Sequence, residues 1–217
     1  MQKKAHLFIF EGVDGVGKTT LAHQTVTYLQ ANNLPCVYLS SPGSIEGTLG
    51  EHVYRLHHNE LDVDAKKTEA TSLQALHIAA HMDTIENHIK PALNAGTNIV
   101  LDRTWWSTLV YGRVYGANRR ALDLLVEAEK AFWGELYPDI VFLVHRSEPV
   151  ERELTDIWKE LALEYHAVFE ANQDSIPCHK IENAQSLENA MERITQQIIL
   201  ETGWELIGDY DQLKKKL

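Results

Sequence analysis

Short, continuous apolar runs alternate along this chain with longer stretches of helical spacing. The first run, His6-Leu7-Phe8-Ile9-Phe10, lacks the in-out alternation of a half-exposed strand and predicts one buried on both faces. Residues 20–31 then predict a helix, and Pro-Cys-Val-Tyr-Leu at 35–39 a second strand. Residues 40–50 are rich in Ser, Gly and Pro and predict a loop. From 65 to 95 the spacing of Leu73, Leu76, Ala80, Ile85 and Ile89 predicts one long helix, kinked at Pro91 and stopped by Gly96. Residues 98–101 form the next apolar run, ending at Asp102. Helices are predicted at 105–115, 120–133, 148–170 and 186–200, with strands at 139–144 and 178–181. The tail, 201–217, closes on Lys214-Lys215-Lys216 and reads as a frayed, solvated end.

Buried strands alternating with helices predict an α/β fold, a five-stranded parallel sheet covered by helices on both faces. Ligands of such sheets gather at the carboxyl ends of the strands. Two polar features fall there, one after the first strand and one at Asp102. No repeat, low-complexity tract or long linker divides the chain, so residues 1–217 are expected to form a single domain.

The feature after the first strand is Gly12-Val13-Asp14-Gly15-Val16-Gly17-Lys18-Thr19, the pattern G-x-x-x-x-G-K-[ST]. Strand before and helix after are the context in which it cradles a polyphosphate. The glycines let successive backbone N–H groups turn inward, and the new helix adds its positive end. Lys18 reaches the terminal phosphates, and the Thr19 hydroxyl is placed to ligate Mg²⁺. Gly12, Asp14, Gly15, Gly17, Lys18, Thr19 and Thr20 are therefore the expected nucleotide-binding residues, ATP and Mg²⁺ the expected cofactors. This specifies the architecture as the P-loop NTPase three-layer fold.

Composition narrows the partners. The chain has 217 residues, 44% hydrophobic and 24% charged, as in an ordinary globular protein. A net charge of −11 argues against an extended nucleic-acid track, which needs a basic stripe. Cys36 and Cys178 lie in apolar runs and read as reduced thiols, consistent with a cytosolic (cytoplasmic) setting. No segment reaches the length of a membrane helix, and no signal peptide is visible. A switch GTPase would carry Asn-Lys-x-Asp and a transport ATPase Leu-Ser-Gly-Gly; neither is present.

Asp102-Arg103, at the end of the third predicted strand, supplies the second anchor: an acid near Mg²⁺ and an arginine for the phosphoryl group or acceptor phosphate. With it the sequence resembles the thymidylate kinases. The resemblance rests on Phe10-Glu11-Gly12 running into the phosphate loop, on Ile89-Lys90-Pro91-Ala92-Leu93-Asn94-Ala95-Gly96, and on Asp102-Arg103 with Ser107 and Tyr111 at the following four-residue steps. Tyr137-Pro138-Asp139 and Glu151-Arg152 also match, so the likeness spans about residues 5–195.

The resemblance implies ATP-dependent phosphoryl transfer to a nucleoside monophosphate by a homodimer, with a short lid around residues 146–160. Lys18, Asp102, Arg103 and Arg152 are its implied catalytic residues, with Thr19 and Asp102 at the metal. Asp14, His77, His81, Arg103, Ser107 and Tyr111 are the implied acceptor-binding residues, and Arg152 with residues 182–185 would flank adenine. The departures fall on the acceptor side. Ser40-Ser41-Pro42-Gly43 stands where the family carries Arg-Glu-Pro-Gly-Gly. His77 and His81 replace a stacking Phe and a base-reading Arg, Gly112 replaces a Gln, and Thr104 replaces a Tyr. These changes predict fewer fixed donors and a pH-sensitive pocket. A deoxynucleoside or modified pyrimidine nucleotide as acceptor, and a non-catalytic nucleotide-binding module, are the alternatives. His77 and His81 at i, i+4 read as pocket wall or packed face ahead of metal ligands, and Trp105-Trp106 as core packing.

Overall fold

The computed structural model describes residues 4–43, 45–58, 60, 67–136 and 138–206. Ala65, Tyr137 and the Lys214-Lys215-Lys216 run lie outside the described residues. Five strands are described: β1 (Leu7–Glu11), β2 (Cys36–Ser40), β3 (Asn98–Asp102), β4 (Ile140–His145) and β5 (Cys178–Glu182). They form one parallel sheet in the order β2-β3-β1-β4-β5. β1 and β3 are buried along their whole length, and β4 all but its last residue. Continuous apolar runs are buried from both sides because helices cover both faces.

The order places β1 between β3 and β4, so the loop after β1 opens beside the ends of both neighbours. In register, Phe10 faces Asp102 on β3 and Glu11 faces Leu143 on β4. Helix α1 (Lys18–Ala31) packs against β1, β2 and β3 and against α8 (Leu187–Thr202). Helices α5 (Trp105–Val114), α6 (Arg119–Trp133) and α7 (Asp156–Asn172) build the other wall, with α5 touching both α6 and α7. Trp106 is 1% exposed at the centre of that wall, which agrees with the packing role read from the sequence.

Three predicted elements are corrected. The loop read at 40–50 ends early: α2 (Leu49–His57) starts at Leu49, its N-terminus capped by the Thr48 side chain accepting from the Glu51 N–H. The long helix read at 65–95 is α3 (Ala70–Thr84), a π-helical turn (Ile85–Ile89) and α4 (Lys90–Asn94). Pro91 lacks an N–H and crowds the preceding turn, and the wider π turn just upstream absorbs both faults without a break. The buried face runs through Gln74, Ile78 and His81 of α3 and on through Ile85 and Ile89 of the turn, while Leu76 stays exposed. The helix read at 148–170 begins only at Asp156, capped by the Thr155 hydroxyl on the Trp158 N–H. Residues 148–155, within the predicted lid, run outside any helix over the phosphate loop, where the Val150 N–H donates to the Gly15 carbonyl at 2.8 Å.

Candidate active site

The phosphate loop spans Gly12 to Gly17 between β1 and α1. A side chain on Gly12 would strike the carbonyl of Val144 on β4, and its φ is +146°. Gly17, at φ +83°, takes the left-handed position that turns the chain into α1, against the amide of Asn183. These two glycines let the loop lie flat across β4 and the residue after β5. The Asn183 side chain fixes it there, donating to the Val16 carbonyl at 2.8 Å. Lys18 is the first residue of α1, so the unpaired N–H groups of the first helical turn face the loop's mouth.

β3 delivers its terminal Asp102 to the same mouth. Lys18 Nζ lies 2.7 Å from Asp102 Oδ1, and the Thr19 hydroxyl donates to Oδ2 at 2.7 Å. From β2, the Tyr38 hydroxyl also donates to Oδ2 at 3.2 Å. Burial pushes the Asp102 carboxyl up, but the Lys18 and Arg103 charges outweigh it and hold the group below its ordinary range. Burial and Arg103 both pull the Lys18 ammonium down, with Asp102 opposing. A hydroxyl and a carboxylate converging within hydrogen-bond reach are hard oxygen donors of the kind Mg²⁺ selects. Thr19 and Asp102 therefore suit the metal expected beside a nucleoside triphosphate.

Arg103, next along, turns the other way. Its φ is +77°, a left-handed conformation costly for a residue with a Cβ. The turn carries the guanidinium to Asp14 in the phosphate loop, where Nη2 donates to Oδ1. Nη1 donates to the Ser107 hydroxyl at 2.8 Å and to the Tyr165 hydroxyl at 2.7 Å. The charged carbon sits 5.4 Å from the centre of the Tyr111 ring, a cation–π contact. Arg152 approaches Asp14 from the other side, Nη1 to Oδ2 at 3.5 Å, and Trp158 on α7 donates to the Asp14 carbonyl at 2.8 Å. Burial raises the Asp14 carboxyl, and Arg103, Lys18 and Arg152 more than reverse it. Lys18, Thr19, Asp14, Asp102, Arg103, Ser107, Tyr111 and Arg152 are thus gathered at one end of the sheet. Thr20, one position on, is exposed.

The two histidines part company. His81 is 4% exposed, and its Nδ1 lies 2.7 Å from Glu129 on α6, a carboxylate with no exposed surface that also accepts from the Trp133 indole at 3.3 Å. His77, one turn earlier, meets His57 of α2, Nε2 to Nε2 at 2.7 Å. Burial and then His81, His57 and Arg103 depress His77. Burial and His58 depress His57, while Asp14 opposes them. That pair is therefore within electrostatic reach of the Asp14–Arg103 side of the site. A small open pocket beside Tyr38, the partner of Asp102, is lined by Tyr38, Ser40, Gly43, Thr48 and Thr84 among others.

Several participants escaped the sequence reading. Glu11 has no exposed surface and binds Thr104 and Ser107. Its signal was a charged residue flush against the end of a continuous apolar strand. Tyr165 lies mid-helix and Trp158 in the first turn of α7, where aromatic residues read as core, and Tyr38 lies within an apolar strand. His57 sits on the helix that went unpredicted. Four further arginines do not join the cluster: Arg146 donates to the Asn183 carbonyl, Arg113 pairs with Glu164 at 2.6 Å, and Arg119 and Arg120 are exposed. Among the described residues no cluster of three or more His, Cys, Asp or Glu is arranged to hold a metal, and no helix is long and apolar enough to cross a membrane. Cys36 and Cys178 are both free.

Comparison with known proteins places the chain among similar ones. The thymidylate kinase family model matches residues 10–197. A thymidylate kinase from Fervidobacterium nodosum is 26% identical over 181 residues, covering 77% of this chain and 86% of that protein. One from Francisella tularensis subsp. novicida is 34% identical over 112 residues, about half of each chain (51% and 50%). The crystal structure of thymidylate kinase from Ehrlichia chaffeensis superposes with a TM-score of 0.71, at 22% identity over 89% of this chain and 98% of that one.

Proposed function

Because the chain belongs to the thymidylate kinase family, we propose that it transfers the γ-phosphoryl group of ATP to a thymidine monophosphate-like acceptor, making the diphosphate and ADP. The observation that carries this reading is the meeting of two anchors: the Lys18–Asp102–Thr19 group on one side and the Arg103–Asp14 pair on the other, separated only by the phosphate loop. Phosphoryl transfer needs little covalent chemistry from a protein; it needs reactants held in line and charge neutralised.

The division of labour follows from the partners. Lys18 leaves Asp102 for the β- and γ-phosphates, to which the first turn of α1 also donates. Mg²⁺, held through Thr19 and Asp102, would neutralise charge on the same phosphates. Arg103 faces the acceptor and receives its phosphate, with Ser107 and Tyr165 setting the direction of the guanidinium. Asp14 sits between Arg103 and Arg152 as the acceptor for a sugar hydroxyl, and Arg152 becomes free for the transferring group once the acceptor engages Asp14. Residues 148–155 lie over the loop and exclude water that would otherwise take the phosphoryl group.

Thymine itself is the finer part of the proposal. The base would meet the His57–His77 pair, with Ser40 in place of an arginine. A neutral imidazole pair offers a donor and an acceptor, so it suits an imide edge less tightly than a bidentate arginine does. The homodimer belongs to the same reading. The test is ADP release from Mg-ATP with thymidine, deoxycytidine, deoxyuridine, deoxyadenosine and deoxyguanosine monophosphates, the free nucleosides and no acceptor. Fastest turnover with thymidine monophosphate supports the proposal. Acceptor-independent release, or ATP binding without turnover on the whole panel, overturns it. Sedimentation of the same sample reads the oligomeric state.

A further inference from the structure

Arg103 is held by a chain of hydroxyl groups that ends in a carboxylate with no part in the chemistry above. Glu11 closes β1, and its side chain has no exposed surface. One oxygen, Oε1, accepts the Thr104 backbone N–H at 2.6 Å and the Thr104 hydroxyl at 2.8 Å. The other, Oε2, accepts the Ser107 hydroxyl at 2.7 Å. Ser107 has a single proton, and giving it to Glu11 leaves only lone pairs for its other partners. It therefore accepts from Arg103 Nη1 at 2.8 Å and from the Tyr165 hydroxyl at 2.7 Å. Tyr165, its proton so directed, is left to accept from Arg103 Nη1 at 2.7 Å. Every proton in the network is ordered from the carboxylate outward.

We propose that Glu11 is a positioning residue for phosphoryl transfer: its carboxylate orders the Ser107 and Tyr165 hydroxyls and thereby aims the Arg103 guanidinium at the acceptor. The proposal rests on the kinase reading of the site. Glu11 acts on the main chain as well. Arg103 holds a left-handed φ of +77°, and the very next N–H, that of Thr104, is tied to Glu11. A carboxylate buried this deeply is expensive unless its charge is used. For packing alone, an apolar residue beside Leu143 would serve.

The network is also sensitive to the Glu11 proton. Burial raises this carboxyl above the ordinary range, against the pull of Arg103 and of the Ser107 and Thr104 hydrogen bonds. The charged and titratable groups facing the network are Asp102 and Arg103 at the end of β3, Tyr165 on α7, Tyr111 on α5, Asp14 in the loop and Lys18 on α1. From β4 only Leu143 lies beside Glu11 in register. Protonated Glu11 would have to donate to Ser107 or lose it. Ser107 would then turn its proton toward Tyr165, and one of the two lone-pair acceptors of Arg103 would disappear.

Three variants test this, Glu11→Gln, Ser107→Ala and the double variant, with Mg-ATP and thymidine monophosphate as probes. Glu11→Gln keeps the shape but places an amide donor against Ser107. Its kcat is expected to fall about 100-fold, while calorimetric Mg-ATP affinity stays within about threefold. The acid limb of its pH–rate profile, set in the wild type by Glu11, is expected to vanish. Ser107→Ala should lose the same limb, and the double variant should be no slower than the worse single one. A retained acid limb in Glu11→Gln, or additive losses, overturns the proposal.

A second readout does not depend on the acceptor. In protein labelled with ¹³C-tyrosine, the Tyr165 Cζ resonance, assigned with Tyr165→Phe, should move on acidification from pH 8 to 5 in the wild type and stay fixed in Glu11→Gln. A flat wild-type signal, or one that still moves in Glu11→Gln, overturns the relay even where turnover is absent. Absent turnover with a moving Tyr165 signal counts against the kinase reading and leaves the relay standing.

Discussion

The Lys18 ammonium rests 2.7 Å from Asp102, the two side chains being 7% and 5% exposed. The pair is self-neutralised, so on the proposed function a nucleoside triphosphate draws Lys18 away from Asp102. The consequence is asymmetric. Lys18→Ala removes the charge that follows the phosphates, and kcat is expected to fall at least about 10²–10³-fold. Asp102→Ala does more to the fold, because it strands a buried ammonium; the expected loss of stability is about 3–5 kcal/mol. Urea unfolding of both variants beside ADP-release assays separates the two effects. Equal destabilisation by the two substitutions would contradict it.

His81 and Glu129 form a buried brace between α3 and α6. Glu129→Ala leaves an imidazole and the Trp133 indole without their acceptor, and at about 1–3 kcal/mol for each buried group left unsatisfied is expected to cost about 2–6 kcal/mol in unfolding free energy. The KM for thymidine monophosphate in folded protein should change less than about threefold, well under what loss of a base-contacting charge pair costs. A large rise in that KM with unchanged stability would return His81 to the acceptor pocket.

How much of this was legible in the sequence varies with the kind of signal. The central strands β1, β3 and β4 were, because buried parallel strands are short unbroken apolar runs, while the edge strands β2 and β5 are only partly buried and carry a weaker pattern. The phosphate loop was, because its glycines answer to backbone geometry alone. Asp102 and Arg103 were legible as polar residues abutting such a run, and the geometry brings both to the loop. Glu11 abuts its run in the same way, yet its partners Thr104 and Ser107 are more than 90 positions away and come close only through the β1–β3 register. Helix α2 was missed since its start is set by one Thr48 cap beside a Gly-rich stretch. The histidines at 77 and 81 look equivalent at i, i+4, and only the positions of α2 and α6 distinguish them.

Acid should loosen the fold from just below neutral pH. Burial foremost holds His57, His77, His145 and His166 below the ordinary histidine value of 6.5. The folded state therefore binds these protons less readily than the unfolded chain. Stability is full above about pH 6.5 and falls as pH drops toward the folded values, by up to about 1.4 kcal/mol per pH unit for each proton involved. Glu11, raised by burial, works the other way, since its folded form takes up a proton earlier. Asp14, Asp102 and Asp139 are lowered, and their contribution is lost further into acid, from the ordinary carboxylate range downward. His77→Gln removes one of the histidine contributions. Unfolding free energy measured from pH 7.5 to 5.5 should show a shallower slope in this variant than in the wild type, and identical slopes would refute the assignment.

Asp14 ties three parts of the molecule: Arg103 at the end of β3, Arg152 in the segment over the loop, and Trp158 on α7 through its carbonyl. Asp14→Asn keeps the backbone contact and the size while removing the charge that both guanidinium groups face. ATP affinity should change little, since Lys18 and the α1 terminus are untouched. Acceptor turnover should drop about 100-fold, because Arg103 and Arg152 lose the charge that sets their separation. Asp14→Glu retains the charge at the wrong reach and should recover only part of the rate. Steady-state kinetics with each reactant varied in turn gives the answer: a defect confined to the KM for ATP would place Asp14 on the nucleotide side and dismantle the acceptor role argued for it.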